Sequence, residues 1–455
     1  MLIPLSWLKE YLDLNISIDE IASTLTLAGL EVDKVDSLTF PFTSVVVGLI
    51  QDVKPHPNSD HLSIASVFDG KETHQVVCGA TNCVKGMKTA FAKVGATLTD
   101  SEGKVHKIKK GKLRDVESFG MLCSEKELGL SEGAQGIMTV SPKAQIGMDI
   151  SELFGDTIFE ISLTPNLGHC LSLIGIAREL AAILEQKVHF PKCTLSENSQ
   201  TPTSDRISVQ VENPQNCPRY SCRLLCNIKP CPTPDWIKKR LEACGIRSIH
   251  LIVDVTNYVM LELGEPLHAF DYDKISGKKI VIHTTQKETS FQALDNITYT
   301  LPSQTLVISD AEKPIAIAGI MGGLQTEVDD QTSQILLEAA HFSPSIIRKT
   351  SKQLGLRSEA SARFERGIDP LGVTFALDRA SFLIQEITGC EICKEMIDIE
   401  GTPYQPRILK CRLDRVNQIL GTSLSLNEVE SFLTRLEMSV SLSDETTLLV
   451  TVPSY

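Results

Sequence analysis

"VDVTNYVMLELGEPLHAFD", residues 253–271, is the stretch on which the reading of the central region turns. It is apolar almost without a break up to Gly264-Glu265-Pro266, and such a run reads as a buried strand entering a turn. Yet it carries Asn257 and His268, with carboxylates on both sides of the histidine. A polar group buried without a partner costs about 1–3 kcal/mol. The stretch is therefore either a core whose polar groups are satisfied or the wall of a pocket that reads a ligand.

Around it lie 455 residues, a length that predicts about three domains. Hydrophobic residues are 42% and charged residues 22%, and the net charge is −13. That charge argues against a surface that binds nucleic acid throughout, and leaves room for one local basic patch. The opening "MLIPLSWLKEYLDLN" is interrupted by Lys9, Glu10 and Asp13, so it lacks the apolar core of a signal peptide. No run approaches the roughly 18 apolar residues of a membrane span. The thirteen cysteines follow no regular spacing, and with no export signal they are expected to be reduced cytosolic thiols. Cys390-Glu-Ile-Cys393, or the loose group Cys217, Cys222, Cys226 and Cys231, could in principle hold zinc. Neither has a regularly spaced second pair, and "RYSCRLLCNI" is an apolar strand in which cysteine packs as a small hydrophobe. No metal site is expected within 1–455.

The punctuation predicts an α+β multidomain chain. Residues 1–39 read as a helical segment: Ser17 and Glu20 form a capping box, and Gly29 is a stop. Ser425 and Glu428 repeat that box. Residues 40–150 hold short strand-like runs ("SVVVGLIQDV", "HLSIASVF", "HQVVCGA", "TAFAKVGATL") with Asp69-Gly70 as a hairpin turn, which suggests a small barrel or sandwich inserted after the helical segment. A turn and helix within 151–200 complete that segment, and 191–205 reads as a linker. A mixed α/β domain follows at 206–400. Residues 401–455 read strand, helix, helix, strand, a partial helix-turn-helix or winged-helix-like domain. Ending on a strand, the chain reads as truncated.

"KVHKIKKGKLRDVESFGMLCS", 104–124, gathers Lys104, Lys107, Lys109, Lys110, Lys112 and Arg114 in an acidic chain. Charge alone favours a solvated hairpin over an RNA groove. But "VKPHPNSDHLSIASV", "VVCGATN", "GMKTAFAKVGATL", "KLRDVESFGMLCSEKELGL" and "GIMTV", in this order, resemble the tRNA-binding domain of the endothelial-monocyte-activating-polypeptide type. The resemblance implies an oligonucleotide-binding barrel, with His56, Pro57 and Asp60 in its first loop. It also implies an RNA-binding patch of Lys107, Lys109, Lys110, Lys112 and Arg114.

Four segments of the larger domain read together: 253–271, "PIAIAGIMGG" (314–323), "ILLEAAHFSP" (335–344) and "LGLRSEASARFERGIDP" (354–370). Singly, each has a plain structural reading: His268 a core residue, the glycines a turn, Glu338 an ion pair with Arg357, Arg363 or Arg366. Together they resemble the editing domain of the beta subunit of bacterial phenylalanyl-tRNA synthetase, and the similarity runs from "PLSWLKEYLD" to "VTVPSY". In "TPNLGHCLS", Leu167 and His169 depart from the arginine and aspartate usual in that family.

The resemblance implies a pocket that removes tyrosine wrongly attached to phenylalanine tRNA. Asn257, His268 and Glu338 match its catalytic candidates; Pro266, Ala318, Gly319, Gly322, Ser358 and Ala360 match its substrate-binding candidates. Tyrosine exceeds phenylalanine by one hydroxyl, and Glu338 could accept a charge-assisted bond from it. A site built for a hydroxyl can reject the analogue lacking it by about 10⁴–10⁵. There is no G-x-S-x-G elbow and no metal motif, which predicts attack by water. His268 and Asn257 would orient water or ester, with the terminal tRNA hydroxyl assisting; the histidine's role as base or position-holder stays open.

Neither a HIGH nor a KMSKS pattern occurs, and Arg363-Phe-Glu365 is too short for a class II signature. The family implies that an alpha subunit makes phenylalanyl-adenylate with ATP and Mg2+, whose beta-subunit ligands would lie beyond Tyr455. It further implies tRNA and that alpha subunit as partners, a heterotetramer of two alpha and two beta, in the cytoplasm and without a membrane. Two other readings are a non-catalytic tRNA-binding and assembly subunit with a decayed pocket, and a free-standing tRNA-binding module, which would account only for 40–150.

Overall fold

The computed structural model describes residues 1–455 apart from 38–39, 100–102 and 132–135 and the side chains at 152 and 154. The chain forms two compact units, 36–157 and the pair of segments Met1–Val35 and Ile158–Tyr455.

Within 36–157, strand Phe42–Pro55 pairs with Ser63–Phe68 on one side and Lys88–Thr99 on the other. Thr73–Cys78 and Met121–Cys123 extend the sheet outward, and Val105–Lys107 adds to the Lys88–Thr99 strand. Alternation serves two cores: Val45 and Val47 pack with Ala90 and Ala92, whereas Val46 packs with Val67 and Phe91. Asp69 Oδ1 accepts from the Lys71 and Glu72 amides (2.9 and 2.7 Å), which closes the Asp69-Gly70 turn. The sheet is curled, but its outer strands do not pair into a closed barrel. Residues Gly111–Ser118 instead fold back as a separate two-stranded ribbon, turning at Arg114 and Asp115 with positive φ. Phe119 N–H to Gln75 O (2.8 Å), Val77 N–H to Ser118 Oγ (3.0 Å) and Gln75 Nε2 to Glu117 O (2.8 Å) bridge the gap.

In the other unit, the segment read as helical contains strands as well: Leu2–Pro4 and Glu31–Ser37 flank Thr157–Ser162 in one sheet. Its helices, Leu5–Leu8 and Ile18–Leu27, are too short to bury their apolar faces alone. They share one core with the central region, in which Trp7, Leu8, Leu173 and Leu180 join Val255, Val259, Leu337 and Leu377. Packing therefore sets no boundary between 158–200 and 206–400, whereas 151–157 belong to the other unit.

The opening stretch is a helix, Leu251–Leu263, followed by strand Leu267–Asp271, so the strand predicted before the turn is corrected. Ten of its thirteen residues are buried, and a helix apolar all round carries no amphipathic period to separate it from a buried strand. The His250 side chain caps its start and Gly264, at φ +82, ends it. Strand Leu267–Asp271 then pairs antiparallel with Ile335–His341, which pairs with Arg219–Cys226. One face of this sheet (Leu225, Ile335, Leu337, Ala339) meets helices Leu251–Leu263 and Val373–Thr388. The other face (Tyr220, Leu224, Phe270, Leu336) meets a second sheet that includes Lys279–Thr284, Leu306–Ser309, Pro314–Ile317 and Met321–Gly322.

Residues 408–451 form an antiparallel sheet in the order Ile408–Arg412, Thr447–Thr451, Ser439–Asp444, with helices Leu413–Leu420 and Leu426–Arg435. Ser439–Asp444 is one strand more than the sequence suggested; its exposed, polar alternation hides it. Among the described residues no helix is long and apolar enough to cross a membrane.

Candidate active site

Between the two sheets lies a cavity of about 80 Å³ lined by residues that include Pro266, His268, Gly319, Gly322, Glu338 and Ala360. By the measure in which one water needs about 10–15 Å³, it is hollow enough for several. Ile308, Ile317, Phe342 and Phe364 supply apolar wall.

His268 and Glu338 are directly opposed across paired strands, so both project from the same face. Glu338 is 5% exposed, and the single hydrogen bond of its side chain among the described residues is to Tyr220, whose hydroxyl donates to Oε2 at 3.0 Å. None of the arginines offered by the sequence holds it: Arg363 pairs with Glu359 (2.8 Å) and Arg357 approaches Glu365 (4.0 Å). Burial pushes the Glu338 carboxyl up to about 8, against the opposing pull of the Tyr220 hydroxyl. Near neutral pH it is therefore mainly a neutral acid, and not the ready anion anticipated from sequence.

Burial holds the His268 imidazole down to about 4, so it is uncharged. Its ring stands edge-on to Phe270, with centroids 4.5 Å apart, and rests against Gly322. A Cβ at Gly322 would lie 2.5 Å from His268 Cε1. At Gly319 the requirement is twofold: φ is +66, and a Cβ would meet Phe364 at 2.9 Å and Phe342 at 3.0 Å.

Three predicted residues are not in this wall. Asn257 sits on the Leu251–Leu263 helix, which packs on the opposite face of the sheet. Ala318 is buried at 1% exposure in the core between the sheets. Ser358 caps helix Glu359–Phe364, and its hydroxyl donates to the Ile320 carbonyl at 2.9 Å, so it braces the wall from behind. Sequence reasoning missed Tyr220. Its alternation within "RYSCRLLC" gave it a buried face, but nothing local told which strand would lie beside it.

In 36–157 the predicted basic residues are exposed: Lys107 ends strand Val105–Lys107, Lys109 and Lys110 lie in the link that follows, and Lys112 and Arg114 belong to the ribbon. Lys110 meets Glu117 at 3.0 Å and Lys112 meets Asp115 at 3.1 Å, so two of the charges are locally offset. Arg114 donates to the Asn58 carbonyl at 3.1 Å. His56 is buried and ties the first loop to the ribbon through Leu113 O (3.1 Å). Lys107 and Lys109 have no carboxylate partner among the described residues.

The described residues contain one group of three potential metal ligands, His169, Cys170 and Glu179, and His169 already bonds Glu179 at 2.8 Å. A set with thiol and imidazole donors does not suit Mg2+, which takes oxygen ligands. Cys226 and Cys393 lie 3.9 Å apart between sulfurs, both as free thiols.

Family profiles match three regions: "B3/4 domain" at 216–389, "Putative tRNA binding domain" at 45–149 and "tRNA synthetase B5 domain" at 409–455. The phenylalanine–tRNA ligase beta subunit of Protochlamydia amoebophila is 51% identical over 455 residues, covering 100% of this chain and 57% of that one. Over its whole length the chain is similar to phenylalanine–tRNA ligase beta subunits. A second such subunit, from Syntrophotalea carbinolica, is 43% identical over 460 residues, again covering 100% of this chain and 57% of its own. The chain thus spans a little over half the length of these curated relatives. A solved N-terminal fragment of the phenylalanyl-tRNA synthetase beta-subunit from Pyrococcus horikoshii aligns over 66% of this chain and 82% of its own, at 16% identity and a TM-score of 0.32. That likeness is too slight to carry an argument.

Proposed function

We propose that this chain hydrolyses the ester of tyrosine mischarged onto phenylalanine tRNA, as the beta component of a phenylalanine–tRNA ligase. The observation that carries the reading is a buried carboxyl, unpaired with any cation among the described residues, at the wall of a cavity with aromatic sides. A phenol can both donate to and accept from that carboxyl, whereas a phenyl ring can do neither. Gly322 and Ala360 leave the room the ring needs.

Water is the nucleophile this site favours. The Ser358 hydroxyl is engaged with backbone. Cys222, opposite Glu338 on the neighbouring strand, is a thiol that burial pushes far above its ordinary range. An imidazole held near 4 is a weak base and supplies no proton at neutral pH, so His268 is assigned to orienting the water or the ester carbonyl. The vicinal hydroxyl of the terminal tRNA nucleotide assists.

The remaining assignments belong to the same proposal. Unit 36–157 acts as an oligonucleotide-binding module that grips tRNA through Lys107, Lys109 and their neighbours. Residues 401–455 form a winged-helix-like unit. The alpha subunit carries out aminoacylation with ATP and Mg2+ in a cytoplasmic assembly of two alpha and two beta.

Release of tyrosine from mischarged phenylalanine tRNA tests the reading, in the chain itself and in the assembled enzyme. Glu338→Ala is expected to abolish the preference for tyrosyl over phenylalanyl ester, and His268→Ala to slow both. Release by wild type no faster than in buffer, in both settings, overturns it.

A further inference from the structure

Tyr220 is as deeply placed as any aromatic residue in the chain: its side chain is 0% exposed, on a strand that pairs with the Glu338 strand. A buried hydroxyl must place its proton, and the single partner it has among the described residues is Glu338 Oε2, at 3.0 Å. The bond fixes which oxygen of the carboxyl is occupied. Oε1 has no partner among the described residues, and Glu338 contributes to the cavity wall.

We propose that Tyr220 is a specificity-determining positioning residue: by donating to Oε2 it holds the Glu338 carboxyl so that Oε1 alone meets the phenolic hydroxyl of an entering tyrosyl group. This rests on the editing reading above. One carboxyl is thereby shared between two phenols, one resident and one arriving. When the acid is neutral, Tyr220 keeps Oε2 as the acceptor and the proton stays on Oε1, where it donates to the arriving hydroxyl. When the acid is ionised, Oε1 accepts from it. In either state the carboxyl cannot swing away, and a phenylalanyl ring leaves Oε1 unpaired.

The other polar groups facing Glu338 leave this role to Tyr220. His268 is uncharged, and Cys217 and Cys222 are thiols whose ionisation burial suppresses. The second sheet and helix Glu359–Phe364 present Ile308, Ile317, Ala360 and Phe364 to the cavity, with no charge among them.

Tyr220→Phe removes one oxygen and keeps the ring, and the test is the ratio of tyrosyl to phenylalanyl ester hydrolysis by the full chain. That ratio is expected to fall roughly tenfold, the worth of one hydrogen bond. The loss should reside in KM for the tyrosyl ester, with kcat nearly unchanged because the ester lies at the other end of the substrate. The pH at which the ratio changes should move upward, since the lost donor favoured the ionised carboxyl. In a Glu338→Ala background Tyr220→Phe should change nothing further. A role confined to stability would lower the melting temperature and leave ratio and pH profile alone, which overturns the inference while the editing reading stands. An inactive wild type overturns both. Should Tyr220→Phe fail to fold, Tyr220→Met, which lacks the hydroxyl and does not exceed the volume of the buried site, is held to the same ratio.

Discussion

Gly322 leaves the cavity little tolerance for a side chain. Its φ lies outside the left-handed region, so alanine is acceptable to the backbone, and the conflict is with the His268 ring 2.5 Å from the added Cβ. Gly322→Ala should therefore fold with a loss of about 1–3 kcal/mol from overpacking and yet slow tyrosine release as far as His268→Ala does. Urea unfolding together with deacylation rates checks the pair of outcomes, and unchanged release would show that the histidine is not held where it acts. Glu338 yields a prediction of another kind. With its carboxyl pushed up to about 8, the native state keeps a proton that the unfolded chain releases near 4.5. The native state consequently weakens as pH rises from about 4.5 to 8. Glu338→Gln removes that dependence, so its stability relative to wild type should rise between pH 6 and pH 9. The rise is at most a few kcal/mol, because each pH unit within that window contributes about 1.4 kcal/mol. His268 acts in the opposite sense. Held near 4, it refuses a proton that the unfolded chain takes up below about 6.5, and stability is lost as pH falls through that window.

At the scale of elements, the piece that delivers His268 is helix Leu251–Leu263, fastened near its end by Glu262. That carboxylate accepts from Arg379 Nε (2.9 Å) and Nη2 (3.0 Å) on the neighbouring helix and from the Tyr11 hydroxyl (2.7 Å). Removing one partner of such a buried pair strands the other. Glu262→Ala is expected to destabilise the fold by about 3–5 kcal/mol in chemical denaturation, far more than an exposed ion pair such as Lys112–Asp115 would. A loss below about 1 kcal/mol would mean that water reaches Arg379. Sequence legibility varies with element type. The capping boxes at Ser17 and Ser425 are present with both reciprocal bonds, because a cap is settled within four residues. Helix Leu251–Leu263 reads as a strand from sequence because burial on all sides erases the polar face that marks a period.

Across the whole molecule, charge is distributed so that an acidic chain of net −13 carries one basic ribbon. Lys110 and Lys112 face Glu117 and Asp115, acids of the ribbon, whereas Lys107 and Lys109 face none among the described residues. Reversing Lys107 and Lys109 together should weaken tRNA binding more than reversing Lys110 and Lys112. It should also lower the dependence of log affinity on log salt by roughly 1–2. Equal effects, or none, in a salt titration would take the ribbon out of the RNA path.

What the sequence by itself determined are properties contained within a few residues: the caps, the Asp69-Gly70 turn, the clustering of lysines, and an acid, a histidine and small residues set in apolar runs. Only the tertiary structure decided which of them meet. Tyr220 reaches Glu338 across 118 positions, His268 comes to face it from a third strand, and Asn257, inside the same quoted stretch as His268, is carried to the far side of the sheet. Strand register and the choice between helix and strand are settled by which faces can be buried against distant partners, and no local window contains that information.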